Sequence, residues 1–287
     1  MQQDIFELGS PYPGPRLVCT ILMHGDETCG LAALEAAQAG DFALNCGSVR
    51  IIVMNRAAHD AARGPLRHLG TDMNRIWSAK PLKGGSGEAR RIETVLPYLQ
   101  EADAILDIHS MPDQNTPFLF ISQTRQQSAS LAMKLGAVVP RVVVAPPPKN
   151  RGVALFETEL LPIEKPIVVV ECGQHQAVQA PDIARAIFHR FLSVHGMVDS
   201  SDVRAEGGDD PVSFYEMSRE IELKEGPLKL ARTMHGFDAL NAGETYGWDG
   251  HRPLVAEEDC CVLLTRPAIH RGDEALTLVR PITGNTR

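Results

Sequence analysis

LVCTILMHGDETCGLAALEAAQA, residues 17–39, runs from a mainly apolar stretch into one that repeats apolar residues at helical spacing. The pattern predicts a strand over 17–23 and a helix over 27–39. The same alternation recurs along the chain. Strands are predicted over 49–54, 104–108, 118–121, 141–144 and 167–170, and helices over 88–101, 128–135 and 183–195. Short β-branched runs alternating with longer helical stretches indicate an α/β layer architecture. Several of the strands are apolar throughout, as expected when helices cover both faces of a sheet. The predicted fold is therefore α/β, with a central mixed, partly parallel sheet flanked by helices.

The pattern changes near residue 200. The segment DSSDVRAEGGDD, residues 199–210, is polar, acidic and Gly-bearing, which suits a domain boundary. Beyond it, short alternating segments at 220–223, 254–256, 260–264 and 276–279 are separated by Gly and Asp turns. Residues 1–200 are thus read as the main α/β domain, and residues 211–287 as a smaller β domain.

Bulk properties narrow the function classes. At 287 residues the chain can bury a real core, so a metal is not needed merely to hold it folded. A hydrophobic content of 44% and a charged content of 22% are those of an ordinary globule. The formal net charge of -8, with no Lys/Arg-rich run, opposes binding to nucleic acid. The opening MQQDIFELGSPYPGPR lacks the basic start and apolar run of a secretory signal, and no stretch approaches the ~18 apolar residues of a membrane span. The expectation is a cytoplasmic protein with no membrane partner, compatible with a homo-oligomer. Its six cysteines form no CxxC pair and are expected to be reduced, buried hydrophobes. A metal in this chain would therefore take His and carboxylate ligands.

Three strand ends supply such groups. His24 and Glu27 follow the first strand, three residues apart at the mouth of a helix. An imidazole and a carboxylate so placed can converge on one cation, and the pair suits zinc; a helix-capping loop is the alternative. In AILDIHSMP, residues 104–112, a second apolar strand ends at His109. Ligands in α/β sheets gather outside the carboxyl ends of strands, so two such ends can share a crevice. His24, Glu27 and His109 then make a His₂Glu set, which leaves zinc an open position. Asp107 lies two residues before His109, on the same side of a strand, and either orients that histidine or bonds nearby backbone. A third strand delivers Glu171 directly after four apolar residues. It reads either as a salt-bridged structural carboxylate or as a general base beside the metal. Between the strands, residues 54–77 carry four arginines and two Asn-Arg dipeptides. Each alone reads as solvated surface, but together, beside a metal, they favour an anionic substrate.

These residues together resemble the succinylglutamate desuccinylase/aspartoacylase family, which has the zinc carboxypeptidase fold. HGDE and DIHS match its two metal motifs, and TDMNR resembles its DLNR signature. VECG followed by Gln174 matches the end of its catalytic strand. The resemblance implies one zinc ion per chain on His24, Glu27 and His109, with Glu171 as general base. It further implies Arg67 as the residue polarising the scissile carbonyl, and Asn74 and Arg75 as binders of the substrate carboxylate. The implied activity is hydrolysis of the amide bond of a small anionic N-acyl amino acid, with the C-terminal β domain narrowing the entrance. Two departures stand out. Aspartoacylases have another arginine roughly ten residues before the catalytic glutamate, whereas no arginine lies between Arg151 and Glu171 here. The tyrosine that closes the aspartoacylase site has no clear match in GDEALTLVR. A substrate other than N-acetylaspartate is therefore implied. A carboxypeptidase acting on peptides, or a non-catalytic zinc or metabolite binder, would use the same residues. His59, His68, His175 and His251 read as loop or surface residues, and His235 and His270 each precede an Asp by three positions. Cys172 is expected to point away from Glu171, into the core.

Overall fold

The computed structural model describes residues 4–78, 85–113, 116–148, 152–199, 211–264 and 268–282. Its main sheet begins with β1 (Ile5–Gly9), β2 (Arg16–Ile21), β3 (Ser48–Val53), β4 (Ala104–Met111), β5 (Phe118–Ser122), β6 (Arg141–Ala145) and β7 (Ile167–Gln174). Farther along come β8 (Ser213–Glu222), β9 (Leu228–Leu230), β10 (Ala239–Leu240), β11 (Thr245–Asp249), β12 (Arg252–Val255), β13 (Cys260–Leu264) and β14 (Glu274–Pro281). Eleven strands share one sheet in the order β1-β3-β2-β4-β7-β5-β6-β8-β14-β13-β10, and β12-β11-β9 form a second, antiparallel sheet. The predicted mixed, partly parallel sheet is what forms. β3, β2, β4 and β7 run parallel, and β5 reverses direction against β7.

Helices α1 (Leu31–Ala39), α2 (Arg56–His59), α3 (Gly87–Glu101), α4 (Gln126–Leu135) and α5 (Ala180–Val194) complete the layers. Strand alternation divides the core. Leu17, Cys19 and Ile21 of β2 join residues of α1, α4 and α5 in one apolar cluster, while Val18 joins α3 residues such as Ile92, Val95 and Leu99 in another. Each fully buried aliphatic side chain of this kind contributes roughly 1.5–3 kcal/mol. Cys172 sits in the first cluster, on the face opposite to Glu171, as alternation requires. The six cysteines are free, though Cys46 and Cys261 are only partly buried. No helix among the described residues is long and apolar enough to cross a membrane.

The structure differs from the sequence pattern in three places. The first strand stops at Ile21 because Leu22 turns into the left-handed region at φ 52, and a 3-10 turn at Thr28–Gly30 precedes α1. Strands β4 and β7 run farther than their apolar runs, so His109 and Glu171 lie within strands rather than beyond them. Most of the C-terminal strands do not stand apart: β8 pairs in parallel with β6, and through it β14, β13 and β10 extend the main sheet. Of the boundary segment 199–210, residues 200–210 fall outside the described residues.

Candidate metal centre and active site

Three adjacent parallel strands build the site. β2 carries His24 just past its end, β4 carries Asp107 and His109, and β7 carries Glu171. The β2–β4 register sets Thr20 opposite Asp107, and the β4–β7 register sets His109 opposite Glu171. His24, Glu27 and His109 are all buried, and one ligand atom from each lies within 4.8 Å of the other two.

Outer carboxylates fix the orientation of both imidazoles. His109 donates from Nε2 to Asp107 Oδ2 at 2.9 Å, and Thr20 donates from Oγ1 to Asp107 Oδ1 at 2.6 Å. Of the two readings of Asp107, the structure shows the orienting one: its partners are side chains. His24 Nε2 lies 3.0 Å from Asp72 Oδ1, so its donor is likewise taken. Both Nδ1 atoms then face Glu27, at 2.7 Å from Oε1 for His24 and 2.7 Å from Oε2 for His109. Glu27 Oε2 nevertheless has no hydrogen-bond partner, because the His109 contact lacks hydrogen-bond geometry. Two ring nitrogens and a carboxylate thus converge on one another with their donors engaged elsewhere, which is the donor set a zinc ion satisfies. Burial pushes the Glu27 carboxyl up, but facing His24 and His109 hold it well below the usual range. Burial likewise pulls His109 down, and the charges of Asp107 and Glu27 raise it well above the usual imidazole value. Changing Asp107 to Asn removes the charge that anchors the His109 Nε2–H. If the His24, Glu27 and His109 group holds a metal ion, this change is expected to weaken its binding about 10–100-fold, measurable by competition with a chelator, while Thr20 keeps the side chain in place.

Glu171 occupies a different environment. Burial, reinforced by the negative charges of Glu27 and Asp107, raises its carboxyl to about 8 against the pull of His109 and Arg67, and Oε2 is buried without a hydrogen-bond partner. A carboxyl held above its ordinary value of 4.5 binds its proton more tightly in the folded than in the unfolded chain. In protein stripped of metal by chelator, the stabilisation from Glu171 is therefore complete below about pH 4.5 and lost as pH rises through about 8. Thermal melts of the stripped protein across this window should show a downward slope that Glu171→Gln flattens.

The remaining groups come from the loop between β3 and α3. Arg67 donates from Nε and Nη2 to Asp72 Oδ2, at 3.2 and 3.0 Å, and its Nη1 lies 3.4 Å from Glu27 Oε1. Burial opposes ionisation of Asp72, but the bond from His24 and the charges of His24, Arg67 and Arg75 hold its carboxyl well below the usual range. Asp72 also caps the 3-10 turn Met73–Arg75 by accepting from the Asn74 N–H at 2.9 Å. Asn74 Oδ1 accepts from the Leu155 N–H at 3.1 Å, and across the same junction the Trp77 N–H donates to Val153 O at 3.0 Å and the Val153 N–H to Arg75 O at 3.1 Å. Gly152 permits this contact: at φ +83 its position faces Arg75 O, which an added Cβ would approach to 2.4 Å. Gly25 plays the matching part beside His24, where a Cβ would come within 2.4 Å of the His59 backbone nitrogen. His59 donates from Nδ1 to Gly25 O at 2.9 Å, so this histidine braces the His24 loop.

One cleft of about 200 Å³ is lined by His24, Glu27, Arg67, Asn74, Arg75, His109 and Glu171, the seven residues to which the resemblance gives metal, catalytic or substrate-binding roles, while Asp107 stands behind it. Asp26, Ser110, His175 and Glu274 line it as well. His175 lies in the turn after β7, as its loop reading has it, but this turn borders the cleft: Ser110 Oγ lies 2.8 Å from its Nδ1, and a bond from its backbone N–H to Met111 O at 2.8 Å holds it at the rim. In the sequence its one signal is its position two residues past Gly173, the end of VECG. Asp72, held between His24 and Arg67, was likewise visible only as part of TDMNR. The Asp partners of His235 and His270 accept backbone N–H groups in turns, so these pairs are turn structures.

A family model for the succinylglutamate desuccinylase/aspartoacylase catalytic domain matches residues 13–191. No curated protein matches the chain in sequence. Among solved structures, a succinylglutamate desuccinylase/aspartoacylase from Rhodobacter sphaeroides superposes with a TM-score of 0.76 at 17% identity, covering 98% of this chain and 89% of that one. The ectoine utilization protein EutE (DoeB) from Ruegeria pomeroyi, in a product-bound structure, gives 0.74 at 17% identity, over 96% and 88%. A succinylglutamate desuccinylase from Silicibacter sp. TM1040 gives 0.73 at 19%, again over 96% and 88%. These likenesses show the shared fold, and the family model spans more than half of the sequence, including both metal motifs. The chain belongs to the succinylglutamate desuccinylase/aspartoacylase family.

Proposed function

We propose that this protein is a zinc-dependent amidohydrolase that removes the acyl group from a small N-acyl amino acid, with one zinc ion held by His24, Glu27 and His109. The observation that carries the proposal is the register pair of His109 with Glu171. It sets a carboxylate with an unpartnered buried oxygen beside a metal ligand and at the wall of the same cleft. A bound zinc supplies Lewis-acid polarisation and lowers the pKa of water.

The chain's own residues provide the rest. Glu171, whose buried Oε2 has no hydrogen-bond partner, accepts a proton from the attacking water and returns it to the departing nitrogen. Arg67, held by Asp72, turns its guanidinium toward the carbonyl oxygen as negative charge develops there. Asn74 and Arg75, which line the same cleft, receive the α-carboxylate. The C-terminal strands, proposed as a small β domain over 211–287, narrow the entrance through Glu274, whose Oε2 lies 3.4 Å from Arg75 Nη2. Water's hydroxyl ends on the acyl carbon and its hydrogens on the amine and carboxyl products.

The test is amine release by the zinc-loaded protein from a panel of N-acetyl and N-succinyl amino acids, with a hexapeptide alongside. Release from the small amides that chelation stops and zinc restores is the expected result. Removal of the last residue from the hexapeptide would indicate a carboxypeptidase. A folded, zinc-bound protein inert on every member would point to a non-catalytic binder.

A further inference from the structure

The metal-site cleft continues past Asn74, Arg75, Met111, Glu171 and Glu274 into a second chamber of about 150 Å³. Its walls are Phe118 and Phe120 of β5, Phe156, Met217 of β8, Leu263 of β13 and Leu276 of β14. Phe118, Phe156, Leu263 and Leu276 are buried, and the Phe120 ring meets Phe156 edge-on at 5.2 Å and Phe118 at 5.8 Å. Among the described residues that line it, Arg75 is the one cationic side chain, and the ionisable groups besides are Glu171, Glu220 and Glu274. Glu220 is exposed, at the mouth, and Glu274 faces Arg75.

We infer that the amino-acid part of the substrate carries an apolar side chain of about the size of a phenyl ring, and that this chamber holds it. The inference rests on the proposed deacylase reading, with Asn74 and Arg75 on the α-carboxylate. These two residues border both spaces. With the carboxylate on them and the amide at the metal ligands, the substituent on the α-carbon is the group that enters the chamber. Cavities of about 150 Å³ walled by Leu, Ile and Phe accept a benzene ring, so the volume suits a benzyl or branched aliphatic side chain. A carboxylate side chain would exchange water for phenyl rings and thioether without a donor, Arg75 being already engaged, and would add charge beside Glu171 and Glu274. An ammonium group would find Glu220 at the mouth, Glu274 against Arg75 and Glu171 in register with His109, while its charge lay among the phenyl and aliphatic walls.

The test compares kcat/KM of the zinc-loaded protein on N-acetyl derivatives of L-phenylalanine, L-leucine, L-aspartate and L-lysine, and on N-phenylacetylglycine, by released amine. Phenylalanine and leucine derivatives are expected to exceed the aspartate derivative by roughly 30-fold or more, from the apolar area they bury. Phe120→Arg should narrow or invert that ratio; Met217→Lys, on a partly exposed strand position, offers the same readout should Phe120→Arg fail to fold. A preference for the aspartate or lysine derivative overturns the assignment and leaves the deacylase reading standing. So does faster turnover of N-phenylacetylglycine than of N-acetylphenylalanine, which would place the acyl group in the chamber. Inertness toward all five, with zinc bound, overturns the deacylase reading and the assignment with it.

Discussion

Replacement of Glu171 by Gln is expected to lower kcat by about 10²–10⁴-fold while leaving zinc content and KM nearly unchanged. The amide is close to isosteric with the carboxyl, and the surroundings of Glu171 in β7 already favour a neutral group, so the variant should fold at least as well as the parent. It loses only the ability to take and return a proton. Such a loss is felt in the transition state rather than in substrate binding, which is why kcat and kcat/KM should fall together. Steady-state kinetics alongside metal analysis checks this. Near-normal turnover by zinc-bound Glu171→Gln would show that another group handles the proton, with His175 at the rim of the cleft the next to examine.

His24→Ala and His109→Ala are expected to separate metal binding from stability. Each leaves two of the three ligands, and each should abolish stoichiometric zinc retention through a desalting column and, with it, zinc-dependent amide hydrolysis. Their effects on folding should differ. Without His24, Glu27 loses its hydrogen-bonded imidazole but keeps the His109 contact and the Arg67 Nη1–H, and the partly exposed Asp72 keeps Arg67 and the Asn74 N–H, so the melting temperature should fall less than without His109. Without His109, Asp107 retains only Thr20 and Glu27 loses one of its two imidazoles, both inside the core. Stranding buried carboxylates in this way typically costs about 3–5 kcal/mol. Equal melting temperatures for the two variants would refute this account of the ligand shell. Zinc retained by either variant would refute the ligand set.

Much of the architecture was legible in the chain because it depends on local periodicity. Apolar runs such as 167–170 and helical repeats such as 88–101 bury themselves whichever neighbours they meet, so β7 and α3 are found where the pattern puts them. Their ends were less legible. Asp107 and His109 continue β4 because they are satisfied by each other and by Thr20, and Glu171 continues β7 in ladder register with His109, neither of which a local pattern records. β1 and α2 escaped notice because five half-exposed residues and a single turn carry little periodicity.

By itself, the sequence determined the α/β class, the His24–Glu27 spacing at the mouth of a helix, and the shared side of Asp107 and His109, since each follows from the repeat of a strand or helix. Only the tertiary structure decided that β2, β4 and β7 lie side by side, that His109 stands opposite Glu171, and that Asp72 reaches across to both His24 and Arg67. It alone showed an apolar chamber opening from the metal site, assembled from β5, β8, β13 and β14. The reason is physical: periodicity is a property of neighbours along the chain, whereas strand order, register and the walls of a cavity arise from packing between segments far apart in sequence.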